Sequence, residues 1–344
     1  MTAPPFAARL APLAKTLQRL IRVAPQEPKM TLGVDIGSTA IKVVALGARR
    51  GAAPRPLVGQ HLTPLEAGQE VDATEALKAA VGALQLPLRT VNLSVSGPWV
   101  IMRVVEMPTM KPAEMKQALP FEAQRYLPFN VQDVIIDGVE LGPADASKMW
   151  VLIVACKKEL VDRRMDWAKR AGLDVALIDV DALALANGFL AQDNGQRSDG
   201  TRALVNVGAQ LTNLVAFKGE IPYLVRDIPW GGDKLIRATA EQLGAEVEAV
   251  RKDFLQGTAS REVLDAVRLS CEALVAELQL SFDYFENRFG QPPEELLISG
   301  GLSLSTAFLE ALKNHLTQSV SAWTPANGMP GQFAVAYGLA LRTS

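Results

Sequence analysis

Two short segments with one shared pattern open the two halves of this chain of 344 residues. Each consists of a β-rich run, a turn and a second β-rich run, and a polar residue ends the first run with a glycine two residues later. These pairs are Asp35 with Gly37, in residues 31–46, and Asn206 with Gly208, in residues 203–217. A pattern that recurs once per half indicates an internal duplication. We therefore expect two related α/β domains whose turns lie on either side of one cleft.

The composition is that of an ordinary globular protein, with 49% hydrophobic and 21% charged residues and a net charge of -2. A chain of this length is expected to form about two domains. No general basic face is present, so nucleic acid is not an expected partner. The chain has two cysteines, Cys156 and Cys271, and two histidines, His61 and His315, all far apart in sequence. Neither a disulfide framework nor a zinc site is predicted, and a reducing cytoplasm fits this pattern.

The first turn carries residue types that bind phosphate. Gly37, Ser38 and Thr39 can offer successive backbone N–H groups, and glycine permits the close approach that such an anion site requires. Asp35 ends the strand, where a carboxylate can hold Mg²⁺ through its water shell. Lys42 opens the returning strand and can reach back to the phosphates. On its own, this turn is also compatible with an ordinary hairpin and a surface lysine.

Three later sites add to this hypothesis. The second turn spans Asn206–Thr212, a Gly-Gly pair precedes a helix after Trp230, and an apolar strand ends in two glycines at Ile298–Gly301. A glycine pair before a helix can bring backbone to a ligand or can be only a tight turn. In combination, these sites predict a nucleotide cleft. Its candidate residues outside the first turn are Asn206, Gly208, Thr212, Gly231, Gly232, Asp233, Lys234, Gly300 and Gly301.

Several longer segments complete the predicted organisation. Residues 97–157 are expected to form a compact insert of strands around a helix at 112–126, which Pro120 should kink or split. A polar stretch at 192–200 is expected to link the halves. Residues 261–289 have the spacing of one long helix.

The leader, residues 1–29, is rich in proline and has no acidic residue before Glu27. Within it, Leu13–Arg22 has the spacing of a short basic amphipathic helix. Such a helix can touch an anionic membrane or a partner protein. The alternative is a loosely ordered leader that packs on its own domain.

These motifs together resemble those of the actin-like ATPase superfamily. The resemblance rests on a first phosphate motif, a first connecting helix, a second phosphate motif, an adenosine motif and a second connecting helix. The matching segments are Asp35–Lys42, Val180–Ala186, Asn206–Thr212, Ile298–Gly301 and Ala334–Ala340.

Within that superfamily, the chain is most similar to the PilM family of type IV pilus assembly proteins, which is related to the cell-division protein FtsA. The similarity covers about residues 30 to 344 and is carried by the segments Gly33–Ser38, Phe121–Phe129, Asp179–Asn187 and Ile228–Asp233. It implies an α/β, actin-like (ribonuclease H-like) duplicated two-domain ATP-binding fold with an inserted subdomain of the FtsA/PilM type.

The implied domains follow from this fold. The first actin-like domain is expected to comprise residues 30–96, 158–193 and 325–344, and the inserted subdomain residues 97–157. The core of the second domain is expected over residues 200–232 and 290–324, with a helical subdomain over 233–289.

The resemblance also implies a function. PilM proteins are cytoplasmic ATP-binding scaffolds at the inner membrane, and they bind the cytoplasmic amino-terminal tail of the membrane protein PilN in a groove beside the inserted subdomain. They thereby couple the membrane complex to pilus motor components that support twitching motility. In this chain we expect that groove near Tyr126–Asn130. The apparatus could be a pilus, secretion or competence machine. Weak membrane contact through residues 1–29 is also compatible with the sequence.

One residue departs from the family pattern, because the second phosphate motif usually begins with Asp and here begins with Asn206. An amide can accept a hydrogen bond from a metal-bound water but lacks the negative charge that orients an attacking water. We expect Mg²⁺-ATP to be bound and hydrolysed slowly or not at all. Asp181, at the first connecting helix, is a candidate for positioning water.

Two other functions are compatible with the same fold. A small-molecule kinase would need an acidic base near a substrate pocket, and Asp181 is the only candidate that we identify before the linker. An FtsA-like divisome or filament protein is expected to carry a membrane-targeting amphipathic helix at its carboxyl end. Here the basic amphipathic segment lies at the other end, which weakens that alternative.

Overall fold

A computed structural model describes residues 30–49, 53–65, 72–192, 200–256 and 261–343. The leader and its predicted amphipathic helix, over residues 1–29, lie outside the described residues. Most of the predicted linker, residues 193–199, also lies outside them.

The described strands are β1 Met30–Ile36, β2 Ala40–Gly47, β3 Leu57–Pro64, β4 Thr90–Val95, β5 Val100–Pro108, β6 Val134–Pro143, β7 Lys148–Lys157, β8 Asp174–Val180, β9 Thr201–Val207, β10 Thr212–Lys218, β11 Ile221–Ile228, β12 Glu295–Gly300 and β13 Ser319–Ala322. The described helices are α1 Thr74–Gly82, α2 Pro112–Ala123, α3 Lys158–Arg170, α4 Asp181–Gln192, α5 Gly232–Leu243, α6 Val247–Gln256, α7 Arg261–Ser270, α8 Glu272–Phe289, α9 Thr306–His315 and α10 Ala334–Leu341.

Two five-stranded sheets have the same strand order. The first runs β3-β2-β1-β4-β8 and the second β11-β10-β9-β12-β13, so each reads third, second, first, fourth, fifth in its own chain order. In both sheets the first three strands are antiparallel and the last two join in parallel. The shared order agrees with the duplication that the two sequence segments indicate. The edge strand β13 has no counterpart in the sequence prediction, because only Val320 of its four residues is buried.

The inserted segment forms a third sheet with the order β5-β7-β6. Helix α2 covers one face of it, where Met115, Leu119 and Ala123 pack with residues of β5 and β7. Pro120 does not split this helix, because α2 continues through Pro120 and ends at Ala123. The N–H groups of Arg125 and Tyr126 bond three residues back rather than four, so the final turn tightens and stops the helix.

The prediction of one helix over residues 261–289 is also wrong. The helix breaks at Cys271 into α7 and α8. The carbonyl of Arg268, which the N–H of Glu272 would use in an unbroken helix, lies 3.1 Å from His315 Nε2 instead. Helix α7 packs against α5 and α9. Tertiary packing therefore overrides a continuous helical pattern at this point.

Helices α4 and α10 cross in close contact beneath the two sheets. A β-carbon on Gly338 would overlap the backbone of Ala184, so these helices touch through their backbones. Helix α10 also packs against β1. Strand β1 leads to the first turn, and α4 begins at Asp181. The crossing therefore sets the position of the first turn relative to Asp181.

Candidate functional site

The two turns are closed by equivalent backbone hydrogen bonds. The N–H of Gly37 donates to the carbonyl of Ala40 at 3.1 Å, and the N–H of Gly208 donates to that of Leu211 at 2.9 Å. In each turn, the glycine that the sequence singles out uses its own N–H to close the loop. The following residues therefore supply the free donors.

Those free donors are the backbone N–H groups of Ser38 and Thr39 in the first turn and of Ala209 and Gln210 in the second. Among the described residues, none of the four donates a hydrogen bond to a protein acceptor. All four residues line one cleft of about 930 Å³. Two pairs of unused amides that line one cavity are a binding arrangement for an anion with several oxygens.

Side chains at matching positions of the two hairpins form two different pairs. Asp35 lies opposite Lys42, and Asn206 lies opposite Asn213 in the same register. Lys42 Nζ donates to Asp35 at 2.9 Å, and both side chains are largely buried. Asn206 Nδ2 donates to Asn213 Oδ1 at 3.0 Å. An ion pair in the first half is therefore replaced by a neutral amide pair in the second.

The remaining cleft residues come from several elements. The structure places the predicted residues Asp35, Gly37, Lys42, Asp181, Asn206 and Gly208 on its wall, together with the four residues that carry free amides.

The Gly-Gly pair before α5 lies outside this cleft wall. The N–H groups of Gly232 and Asp233 donate to the carbonyls of Gly208 and Ala209, each at 2.8 Å. A β-carbon on Gly231 would overlap Ala209. The helix start therefore supports the second turn from behind, and its N–H groups are already used.

Side chains around this pair have the same supporting role. Thr212 is fully buried and donates to the carbonyl of Trp230 at 2.8 Å. Lys234 Nζ donates to the carbonyl of Pro229 at 2.7 Å. Asp233 forms an ion pair with Arg251 at 3.1 Å. These predicted site residues hold the second turn in place within the protein.

The two glycines after β12 differ from each other. Gly300 has a φ of 87°, and a β-carbon there would overlap the backbone of Val207, so it serves close packing against β9. No described atom lies within 4 Å of where a β-carbon of Gly301 would be. Neither glycine is among the residues that line the cleft, but Gly301 has open space in front of it.

An acidic group lies at the start of α4. Burial, together with the nearby carboxylates of Asp35 and Asp227, raises the pKa of Asp181 to about 6. Proximity of like charges and loss of solvent both favour the protonated form. Asp181 therefore changes its charge near neutral pH.

A basic face of α3, which was not predicted from the sequence, also lines the cleft. It comprises Arg163, Arg164, Trp167 and Arg170. The only signal in the sequence is that these residues recur at intervals of three or four, which is equally typical of a solvated helix face.

A chain of polar contacts connects the second turn to the inserted sheet. Ser299 Oγ donates to Asn206 Oδ1 at 3.3 Å, and Asn213 Nδ2 donates to Asp227 Oδ1 at 2.8 Å. The backbone N–H of Gly97, just before β5, donates to Asp227 Oδ2 at 2.8 Å. The sequence carries no signal for these hydrogen bonds, since the residues that form them come from four separate segments.

The described residues contain no group of three or more His, Cys, Asp or Glu side chains placed to hold a metal. This donor set fits Mg²⁺ only in the way that the ion binds nucleotides, through one carboxylate, water and phosphate oxygens. Asp35 is the carboxylate next to the free amides of the first turn. In the part of the chain that the structure describes, no helix is long and apolar enough to cross a membrane.

Aromatic residues lie where the cleft meets the inserted sheet. Trp99 lines the cleft and is 45% exposed, and its ring lies 6.2 Å from that of Phe129. Lys157 Nζ lies 3.8 Å from the centre of the Trp99 ring. Phe121 is 77% exposed, and Tyr126 is also exposed. The region expected around Tyr126–Asn130 therefore adjoins the cleft through the contact of Phe129 with Trp99.

Known structures show the same fold. A structure described as a PilM-PilN type IV pilus biogenesis complex matches with a TM-score of 0.79 at 24% identity, over 90% of this chain and 97% of that one. The ethanolamine utilization protein EutJ from Carboxydothermus hydrogenoformans matches with a TM-score of 0.56 at 16% identity, over 98% and 99% of the two chains. MreB5 of Spiroplasma citri, solved bound to ADP, matches with a TM-score of 0.52 at 10% identity, over 91% and 95%.

These matches establish the actin-like fold, as the sequence resemblance implies. The family model for type IV pilus assembly protein PilM matches residues 33–344. The match includes both turns, the inserted sheet and both connecting helices. The chain therefore belongs to the PilM family of type IV pilus assembly proteins.

Proposed function

We propose that this protein is a nucleotide-binding scaffold of a type IV pilus-like machine, which binds Mg²⁺-ATP in the cleft. The observation that carries this proposal is the paired set of free amides, Ser38 and Thr39 opposite Ala209 and Gln210. A polyphosphate can accept hydrogen bonds from both pairs at once. It would thereby join the two halves of the fold.

The charged residues suit this ligand. Asp35 would hold a water of the Mg²⁺ ion, and the ammonium group of Lys42 contacts that carboxylate. The ion, when bound, would supply positive charge that neutralises phosphate. The open position beside Gly301 leaves space for the nucleoside.

Slow hydrolysis is part of the proposal. Asn206 is occupied on both sides, since its amide donates to Asn213 and its oxygen accepts from Ser299. It carries no charge with which to orient an attacking water. Asp181, whose pKa is raised to about 6, is a candidate for positioning water but lies on the first domain rather than at the second turn. We expect turnover well below the ~1 per second that marks the low end of ordinary enzymes.

The partner would be the cytoplasmic tail of a PilN-like inner-membrane protein. The solved relative is described as a PilM-PilN complex, so PilN is the partner of that relative. In this chain the aromatic surface of Trp99, Phe121, Tyr126 and Phe129 offers large apolar side chains of the kind that anchor peptides. Such docking would place the protein on the cytoplasmic side of the inner membrane. Contacts with motor components would follow from that position.

Calorimetric titration would test both parts. We expect the full chain to bind Mg²⁺-ATP, and to bind a synthetic amino-terminal tail of a PilN-like protein from the same organism. Trp99→Ala should weaken tail binding by at least ~10-fold, because truncating a buried aromatic anchor costs about 2 kcal/mol or more. Val58→Ala, an exposed apolar residue on the edge strand β3, is the matched control and should leave binding unchanged.

Each part can fail separately. No heat of binding with Mg²⁺-ATP would contradict the nucleotide proposal. Absence of tail binding with and without nucleotide would contradict the scaffold proposal. Equal tail affinity for Trp99→Ala and wild type would move the docking surface elsewhere.

A further inference from the structure

Arg164 lies beside the first turn without belonging to it. It projects from α3 and lines the cleft. Its Nη2 is 3.4 Å from the carbonyl of Ile36, the residue immediately before Gly37. A long helix-borne side chain is thereby brought to the end of β1, next to the free amides of Ser38 and Thr39.

The hydrogen-bonding capacity of Arg164 is largely unused. Its Nε is buried and has no hydrogen-bond partner among the described residues. A guanidinium has five N–H donors, and burying a charged group without partners is costly. Burial lowers the pKa of Arg164, whereas the carboxylates of Asp181 and Asp35 raise it. This side chain therefore stays charged in a place where an anion would satisfy its donors.

Other basic residues of the cleft are used differently. Lys42 is paired with Asp35. Arg170 contacts Asp72 and Asp166. Arg163 is exposed. Both arginines lie beside the Trp167 ring, with the guanidinium of Arg163 5.8 Å and that of Arg164 4.9 Å from its centre, so this contact leaves the N–H donors of Arg164 available. Arg164 thus combines burial, an unused donor and contact with the strand end that precedes the first turn.

The charge balance of the cleft indicates which part of a nucleotide needs this residue. A diphosphate can be held by the two pairs of amides and by a magnesium ion. A terminal phosphate adds further negative charge close to Asp35 and Asp181. Without another cation this group would be repelled, and Lys42 is already paired with Asp35.

We propose that Arg164 binds the terminal phosphate of a nucleoside triphosphate and makes this cleft discriminate triphosphate from diphosphate. The inference rests on the proposed nucleotide function and names the residue that reads the nucleotide state. Bidentate contact with phosphate is the interaction for which a guanidinium is shaped. Binding would also orient α3 relative to the first turn.

Calorimetric titration of the full chain with Mg²⁺-ATP and with Mg²⁺-ADP tests this proposal. Arg164→Gln should weaken Mg²⁺-ATP binding by roughly 10- to 100-fold, the effect of losing a charged hydrogen bond. Its affinity for Mg²⁺-ADP should stay within about 3-fold of wild type, as expected when no charged contact is lost. Arg164→Lys keeps the charge without the planar fork and should recover part of the ATP affinity. Lys169→Gln removes the same charge from an exposed position of the same helix and should change neither affinity.

The outcomes separate a ligand role from a structural one. If Arg164 only supports Ile36, Arg164→Gln will weaken both nucleotides equally and lower the melting temperature of the free protein. Equal loss for both nucleotides, or no loss for either, would overturn the inference. If the wild-type chain binds neither nucleotide, the proposed function fails and this inference fails with it. A circular dichroism spectrum identical to that of wild type would exclude misfolding as the cause.

Discussion

The backbone N–H of Gly97 donates a hydrogen bond to Asp227 at 2.8 Å. Gly97 opens the inserted sheet, and Asp227 lies on β11, the edge strand of the second sheet. The same carboxylate accepts a bond from Asn213, which is paired with Asn206 of the second turn. One carboxylate therefore connects the cleft to the inserted subdomain, which carries Trp99 and Phe129. Burial raises the pKa of Asp227, and the two hydrogen bonds oppose that rise.

Asp227→Asn should loosen this connection. An asparagine has one acceptor oxygen, so it can keep the bond from Gly97 or the bond from Asn213 but not both. We expect the free energy of unfolding to fall by about 1–3 kcal/mol. Hydrogen exchange measured by mass spectrometry should show faster exchange around Gly97. Asp283→Asn, an exposed position on α8, is the control. Unchanged exchange at Gly97 would show that the connection does not restrain the insert.

Asp181 should make stability depend on pH in a particular direction. Its pKa is raised from 3.8 to about 6, so the folded state binds the proton more tightly than the unfolded state. Between about pH 4 and pH 6 the free energy of unfolding should therefore fall as pH rises. Above pH 6 the full destabilisation caused by the ionised Asp181 should be present.

Asp181→Asn should remove this pH-dependent contribution to stability. At pH 7 the variant should be more stable than wild type by roughly 1–3 kcal/mol, because it no longer ionises in a buried acidic site. Urea unfolding at pH 4, 5, 6 and 7 measures the difference. Parallel pH profiles for the two proteins would contradict the assignment of the titration to Asp181.

Asn206→Asp should destabilise the protein in the absence of a ligand. A carboxylate cannot donate to Asn213 Oδ1, so two oxygens would face each other where the amide now donates. We expect a loss of about 1–2 kcal/mol in urea unfolding.

A second change should repair that loss. Asn213→Lys combined with Asn206→Asp would recreate the pair that Asp35 and Lys42 form in the same register of the first hairpin. We expect the double variant to regain stability and to hydrolyse Mg²⁺-ATP at least ~10-fold faster than wild type, because a carboxylate can orient water. Phosphate release assays measure this rate. A single variant as stable as wild type would show that the amide pair contributes nothing.

Gly338→Ala should disrupt the crossing of α4 and α10. The new β-carbon would overlap the backbone of Ala184, which cannot move as a flexible side chain can. We expect destabilisation of roughly 1–3 kcal/mol or more. Gly82→Ala is the control, since no described atom lies within 4 Å of its β-carbon position at the end of α1. That variant should be unchanged or more stable by up to about 1 kcal/mol. Equal stability of the two variants would mean that the helices can separate without cost.

The fold followed from sequence where local patterns repeat. The two hairpins, the glycine after each polar strand end and the apolar runs of β1 and β9 were all visible in the residue order. Strand pairing within a hairpin depends on neighbours in sequence, so its register could be anticipated. Segments resembling known motifs then predicted the actin-like arrangement and the family.

The helices of residues 112–126 and 261–289 were harder to delimit. Backbone hydrogen bonding near Pro120 and the contact of His315 with the Arg268 carbonyl decide where they end. The second of these contacts joins residues 47 positions apart. No periodicity within a helix encodes such a contact.

The candidate site shows the same division. Sequence alone identified the two turns as candidates for phosphate binding and showed that Asn206 stands where an acid is usual. It predicted that Lys42 reaches towards phosphate, whereas the structure shows Lys42 paired with Asp35. Tertiary structure decided which donors remain free: Gly232 and Asp233 spend their N–H groups on the second turn, whereas Ser38 and Gln210 keep theirs. It also brought Arg164 to the cleft and Asp227 to Gly97. The reason is physical, since a polar group is available to a ligand only if no distant segment has already satisfied it.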